Sequence, residues 1–570
     1  MGPTEYAQAS SHTSPSPMRL DSESKQAGLS AVSRISQLAT GGQLLSPPEV
    51  VMSIDVPSLV SAMRLSLDIL TIKRLASPAI VKGCLLLIKI TTDRRSGPTS
   101  PFSYEYERMC FRLLVVSLNV CLLFRWGKLD DLLEVPGLIQ PEQAAYLVVD
   151  TKVPAEVLDQ LIVADMGGNC DWVFGWFTTT QHPIQPLLLS QTDVAYLLKL
   201  LWDDRKNWLQ AMISYANPGQ SGLMFLFSRY VVYERDFQYN SAWETIRERV
   251  FELAVRYSLI ADRDQLPATC AISDANAYPW HPTKIIPMHV DAEDSRTIMT
   301  SFIKRLSLND DMDMIKRRDP TVMLRIVPRA ADETCQDLLP EVIRQTIKYG
   351  WAYVIAVTPD EERLSGDMSD QFNTFVHMQF TSLMILVKPY EFDSYSLTPS
   401  IRTQILDVLK QEDLLDWTIR MIIRLNGSNP NRRSDALNVT HAFFVALCKG
   451  VASSELEYYF LDYVPDWLKL GRHLQILGTC VYATSSESHR QHYEKCLETW
   501  LKIAHVLGIL SATESHVGSP VLAELALTAH TAITVVNQWP GSMETLLQLL
   551  GRCPFPQQVP DTPRRAITTR

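Results

Sequence analysis

Between residues 488 and 510 the chain sets Tyr493, Cys496, Leu497, Trp500, Ile503, Ala504, Leu507 and Leu510 at three- and four-residue steps. That spacing gathers them on one stripe of a 3.6-residue helix and leaves the opposite face polar. Ser488 and Gln491 have the form of a capping box, and Glu498 stands one turn before Lys502 in the favourable order. A helix with one apolar stripe has to bury it against other helices or a sheet, so the neighbours decide the architecture.

The neighbours carry the same pattern. Helical periodicity returns over residues 58–76, 79–90, 104–133 with a break near Gly127, 193–208, 222–235, 241–261, 291–308, 337–348, 371–387, 399–425, 434–449, 454–470, 472–482, 519–538 and 542–550. Residues 141–164 repeat it in two parts, with a division expected at Pro154. Glycine is scarce, 23 in 570 residues, which favours helices over turn-rich sheets. The expected fold is all-α: irregular stacked helical hairpins, either an armadillo/HEAT-like solenoid or two helical lobes. No residue signature is shared between the hairpins, so no repeat family is assigned. Residues 322–327 (VMLRIV) and 351–357 (WAYVIAV) are short apolar runs that fit strands or buried helices equally.

Composition places the boundaries. Residues 1–48 hold ten serines and five prolines without Phe, Trp or Cys, the mark of a disordered tail. Leu29, Val32, Ile35 and Leu38 within it have the spacing of a short helix for a partner, the solvated tail being the competing reading. An N-terminal helical lobe is expected over 49–262 and a C-terminal one over 291–551. Between them, 263–290 is an irregular connection interrupted by Pro267, Pro279, Pro282 and Pro287. Residues 552–570 form a second disordered tail. Ser14, Ser16, Ser46 and Thr562 precede prolines in these tails and are candidate phosphorylation sites. Trp280, in the YPWHP core of the connection, is a candidate interaction anchor, weighed against a Trp packed back onto the scaffold.

Charge and cysteine usage narrow the function. Asp plus Glu number 63 against 53 Lys plus Arg, a net charge of -10, the reverse of a nucleic-acid groove. Ten cysteines occur with no CxxC pair, which argues against a disulfide framework or zinc ribbon and for a reducing compartment, cytoplasm or nucleus. The first residues contain no apolar signal-peptide core. The most apolar run, Leu113 to Phe124 between Arg112 and Arg125, is about twelve residues, short of the roughly twenty that span a bilayer; a buried helix is expected there.

Chemistry-bearing clusters are few. His489, His492 and Cys496 share one face of the opening helix and form a candidate metal set, against which Cys496 already serves the apolar stripe. Gly167 to Asp171 (GGNCD) sets Cys170 in a turn with His182 downstream, without a demonstrable base or oxyanion donors. P-loop, dinucleotide, HExxH, GxSxG and kinase motifs are absent from the sequence. No catalytic residue and no cofactor is assigned. The expectation is a non-enzymatic intracellular scaffold or adaptor that binds a protein or peptide and has no membrane span. The alternative is a helical enzyme or small-ligand binder using residues 166–186 or 262–290 as a lid.

Overall fold

The first helix stands where the sequence pointed to a disordered tail. In the computed structural model, α1 (Ser22–Ala39) opens on Asp21, whose carboxylate accepts from the Ser24 amide at 2.7 Å. Its prolines all lie outside this stretch. Averaging over the tail therefore hid a proline-free helix whose stripe, Ala31, Val32 and Ile35, is buried. The surface it covers belongs to the same chain: α1 packs on α2 (Val56–Arg64) and α4 (Pro78–Asp93), with the short turn α3 (Ile69–Ile72) between those two. Gly28 and Gly83 permit the approach, since a Cβ on Gly83 would collide with the Ile35 carbonyl and one on Gly28 would lie 2.6 Å from the Ser61 carbonyl. Gly83→Ala is expected to cost about 1–3 kcal/mol by pushing backbone apart. Hydrogen exchange would register it as lost protection over residues 22–39; unchanged protection there would refute the tight contact.

The described residues are 20–40, 49, 53–93, 100–134, 144–177, 184–215, 218–238, 242–277, 288–307, 321–356, 366–388, 395–425, 430–449, 451–463, parts of 467–474, and 487–508. Among them every regular element is helical. The chain divides into two compact units, Met1–Leu414 and Leu415–Arg570.

In the first unit, α5 (Glu105–Arg125) runs through the apolar segment, and residues 113–123 are buried without interruption. No single described helix is long and apolar enough to cross a membrane; the pair Ile69–Leu75 and Pro78–Asp93 reaches that hydropathy only together, across a 68° bend. After α6 (Leu129–Glu134), α7 (Ala145–Asp165) passes straight through Pro154. The expected division is absent for a local reason. Pro154 has no N–H for the carbonyl of Asp150, four residues back, and the Gln265 side-chain amide donates to that carbonyl instead.

Three helices follow, α8 (Gln191–Asp203), α9 (Arg205–Ser214) and α10 (Ser221–Gln238). The first two turns of α10 are buried on all sides, and it contacts α5, α7, α8, α11 (Ala242–Ser258) and α12 (Leu266–Asn276). Helix α12 corrects a second expectation. It lies inside the stretch 263–290 that was to be an irregular connection, begins with Pro267 in its first turn, where proline is tolerated, and packs against α11, α10 and α7. The remaining elements of this unit are α13 (Ala292–Ser307), α14 (Thr321–Ala330), α15 (Leu339–Ala356), α16 (Gly366–Val387) and α17 (Pro399–Gln411). The two ambiguous apolar runs thus fall in helices α14 and α15, up to Ala356; the first is buried against α16, while in the second Tyr353 and Val354 are buried, Tyr353 stacking on Phe372 and Phe375 of α16, and Ile355 is exposed.

The second unit takes in α18 (Leu414–Arg424), α19 (Pro430–Cys448), α20 (Ser453–Phe460) and α21 (Glu487–Val506). Helix α21 is the amphipathic stretch with which the sequence opened. Cys496, Trp500, Ile503, Ala504 and Leu507 are buried as the stripe requires, against α19.

Candidate functional site

The first turns of α5, the 3-10 turn Pro101–Ser103 before it and the end of α9 enclose a cleft of about 120 Å³. Ser100 anchors the turn that carries Phe102: its hydroxyl accepts from the Phe102 amide at 3.1 Å and donates to the Asp204 carboxylate, which fastens the turn to the start of α9. Phe102 and Phe111 meet edge to face at 5.3 Å and, with Met109 and Met212, make the apolar wall. Arg108, Arg112, Glu105 and Tyr215 complete the lining, Glu105 and Tyr215 being exposed.

Arg108 and Arg112 are one turn apart on the same face of α5. The Arg108 guanidinium lies over the Tyr215 ring, 4.0 Å from its centre. Arg112 is half-buried; its Nε is enclosed without an acceptor, and its Nη1 reaches only the Met109 sulfur at 3.9 Å. Burial pulls the Arg112 pKa below the usual arginine value, Tyr146 nearby opposes that, and Arg108 adds to it. Among the described residues neither arginine is ion-paired. Arg125, at the far end of the same helix, makes the contrast: its two terminal nitrogens donate to the carbonyls of Val173 at 2.5 Å and Pro186 at 2.6 Å. One of the two cations bracketing the apolar segment is therefore spent on the fold, while the other retains donors.

Behind the cleft lies a buried polar network. Met212, a wall residue, accepts from the Gln220 side-chain amide at 2.6 Å, and the Gln220 backbone N–H donates to the Tyr257 hydroxyl at 2.8 Å. Ser221 at the start of α10 donates its amide to Gln265 Oε1 at 3.1 Å. Asn119 on α5 donates to Asp150 at 3.2 Å and to the Gly219 carbonyl at 2.7 Å. Burial pushes the Asp150 carboxyl up to about 7, only partly offset by the Gly219 amide and by Asn119. A Cβ on Gly219 would overlap the Gln265 side-chain amide and displace it from its hydrogen bonds to Ser221 and the Asp150 carbonyl.

The residues singled out in the sequence lie elsewhere. Ser14, Ser16, Ser46, Thr562 and Trp280 fall outside the described residues, as does His182. His489 is in α21, and nothing further is described of its side chain. His492 and Cys496 do meet: both ring nitrogens are 3.7 Å from the sulfur, which also lies 3.7 Å from the Ile422 carbonyl. Cys496 is wholly buried, and among the described residues no three His, Cys, Asp or Glu side chains converge as a metal set. Cys170 is buried and its thiol is pushed up to about 12 by burial; Arg229 holds its neighbour Asp171 at 2.6 and 3.0 Å, so this turn is a structural fastening of α10. The cleft arginines were missed because periodicity sees only apolar spacing. The signal present in the sequence was an i, i+4 pair of arginines on a helix otherwise rich in apolar residues.

No protein family, no curated protein and no solved structure matches this chain in comparison.

Proposed function

We propose that the protein is a helical scaffold or adaptor, its hairpins stacked in armadillo/HEAT-like fashion, and that the Arg108–Arg112 cleft docks a segment of a protein partner. The observation that carries this reading is the half-buried guanidinium of Arg112, its Nε without an acceptor and its Nη1 on a thioether, beside a wall of apolar side chains. A half-buried charge without an anionic partner carries a desolvation cost, and a bound anion relieves it. Volume supports a side chain as the occupant: about 120 Å³ is near the size of an engineered cavity that accepts benzene, and small-molecule sites run to roughly 300–1,000 Å³. None of the described cysteines is in a disulfide, in keeping with a reducing compartment, cytoplasm or nucleus.

The test is selection from a displayed peptide library on the full chain and on the Arg108→Ala/Arg112→Ala variant. Enrichment of sequences with a carboxylate beside an apolar residue, abolished in the variant, is the expected result; enrichment indifferent to both arginines would overturn the reading. Stability gives an independent check, because a cation held for binding and one held for folding respond oppositely. Arg112→Met is expected to leave the urea midpoint unchanged or to add about 1 kcal/mol, since it removes an unpaired charge. Arg125→Met is expected to lose about 2–3 kcal/mol, since it strips a charged donor from two carbonyls. Loss of comparable size at Arg112 would mark it as structural.

A further inference from the structure

We infer that the occupant of this cleft is the C-terminal residue of a partner chain, an apolar residue whose free carboxylate is taken by Arg112 while its own side chain rests on Phe102, Phe111 and Met212. This rests on the docking reading above and deepens it. One observation favours a chain end over an internal acidic segment. The cleft has room for about one side chain, yet its cationic donor and its apolar wall line the same 120 Å³. The anion and the apolar group must therefore sit within a few ångströms of each other. At a chain terminus the carboxylate is attached to the same Cα as the side chain, whereas an aspartate or glutamate places its charge on a different residue from the apolar group.

The donor geometry agrees. Among the described residues the terminal nitrogens of Arg112 have no oxygen acceptor, Nη1 reaching only the Met109 sulfur at 3.9 Å, and paired guanidinium N–H groups match the two oxygens of one carboxylate. Arg108, stacked on Tyr215, adds positive potential without closing the site. Glu105, exposed on the rim and not ion-paired to either arginine, sets the limit on charge: its carboxylate disfavours a doubly charged phosphate more than a singly charged carboxylate. The chain's net charge of -10 acts in the same direction.

The experiment measures binding of the full chain to dye-labelled short peptides with an apolar last residue, each made as free acid and as C-terminal amide. Alongside them run amidated peptides with an internal glutamate beside the same apolar residue, and 3-phenylpropionate alone. The free acids are expected to bind about 10- to 100-fold more tightly than the amides, the worth of a charge-assisted hydrogen bond, and Arg112→Gln is expected to erase that gap. Equal binding of acid and amide would overturn capture of the chain end and leave docking standing. Amidated glutamate peptides that match the free acids would do the same in favour of an internal acidic segment. Saturation by 3-phenylpropionate with no binding of any peptide would remove both readings and mark a small-acid site. No binding by any probe would also overturn both.

Discussion

Arg256→Ala is expected to destabilise the first unit by about 3–5 kcal/mol, the cost of leaving buried carboxylates without their cation. The Arg256 side chain is wholly buried on α11. Its two terminal nitrogens grip Asp294 on α13 at 2.8 Å each, its Nε donates to Glu252 at 3.0 Å, and it also donates to the Met288 carbonyl. Asp294 accepts in addition from the Val290 amide at 2.8 Å, and Glu252 from Arg205 at 2.8 Å. One guanidinium thus ties α9, α11, the link before α13 and α13 itself. The effect should be read in urea unfolding. Arg256→Met combined with Asp294→Leu is expected to recover part of the loss, because removing both charges leaves less to desolvate than removing one. A single substitution costing under about 1 kcal/mol would show that the pair is solvated in the protein.

Asp150→Asn is expected to stabilise the protein, and to do so only above acidic pH. The folded-state value of about 7 stands above the usual 3.8 because burial penalises the charged form. Below pH 3.8 folded and unfolded chains both hold the proton and the group has no influence on stability. As pH rises from there toward 7, the unfolded chain gives up its proton while the folded one keeps it, so stability falls; above about 7 the whole penalty is in place. About three units at about 1.4 kcal/mol each make the full effect on the order of 4 kcal/mol. Asparagine retains an acceptor for Asn119 and the Gly219 amide and carries no charge. Unfolding free energies of the two proteins should therefore run parallel below pH 3.8 and separate from there through neutrality. A difference independent of pH would show that Asp150 titrates normally in the fold.

Most of the helical architecture could be read from residue spacing. The stripe of α21, the buried run 113–123 in α5 and the break near Gly127, which has a φ of +71°, all follow from local rules about periodicity and backbone. The misreadings share a cause. Pro154 looked like a division because its missing hydrogen bond is visible in sequence, while its replacement comes from Gln265, more than a hundred positions away. The prolines of 263–290 looked like a boundary, although Pro267 begins α12 and Arg256 reaches forward to Met288 and Asp294. Residues 22–39 looked like a tail because composition averages over a window, while α1 is held by two glycines that let backbones touch.

The candidate site divides along the same line. That α5 bears two arginines one turn apart among apolar residues is written in the chain. That Arg125 is satisfied by two carbonyls and Arg112 is not depends on where Val173, Pro186 and α9 come to rest. By itself the sequence determined which stretches become helices and which faces they bury, because helix formation and amphipathicity act within a few residues. Only the tertiary structure decided which polar groups found partners. Desolvation and pairing depend on neighbours brought from distant positions, and those set the energy of Arg112, Asp150 and Arg256.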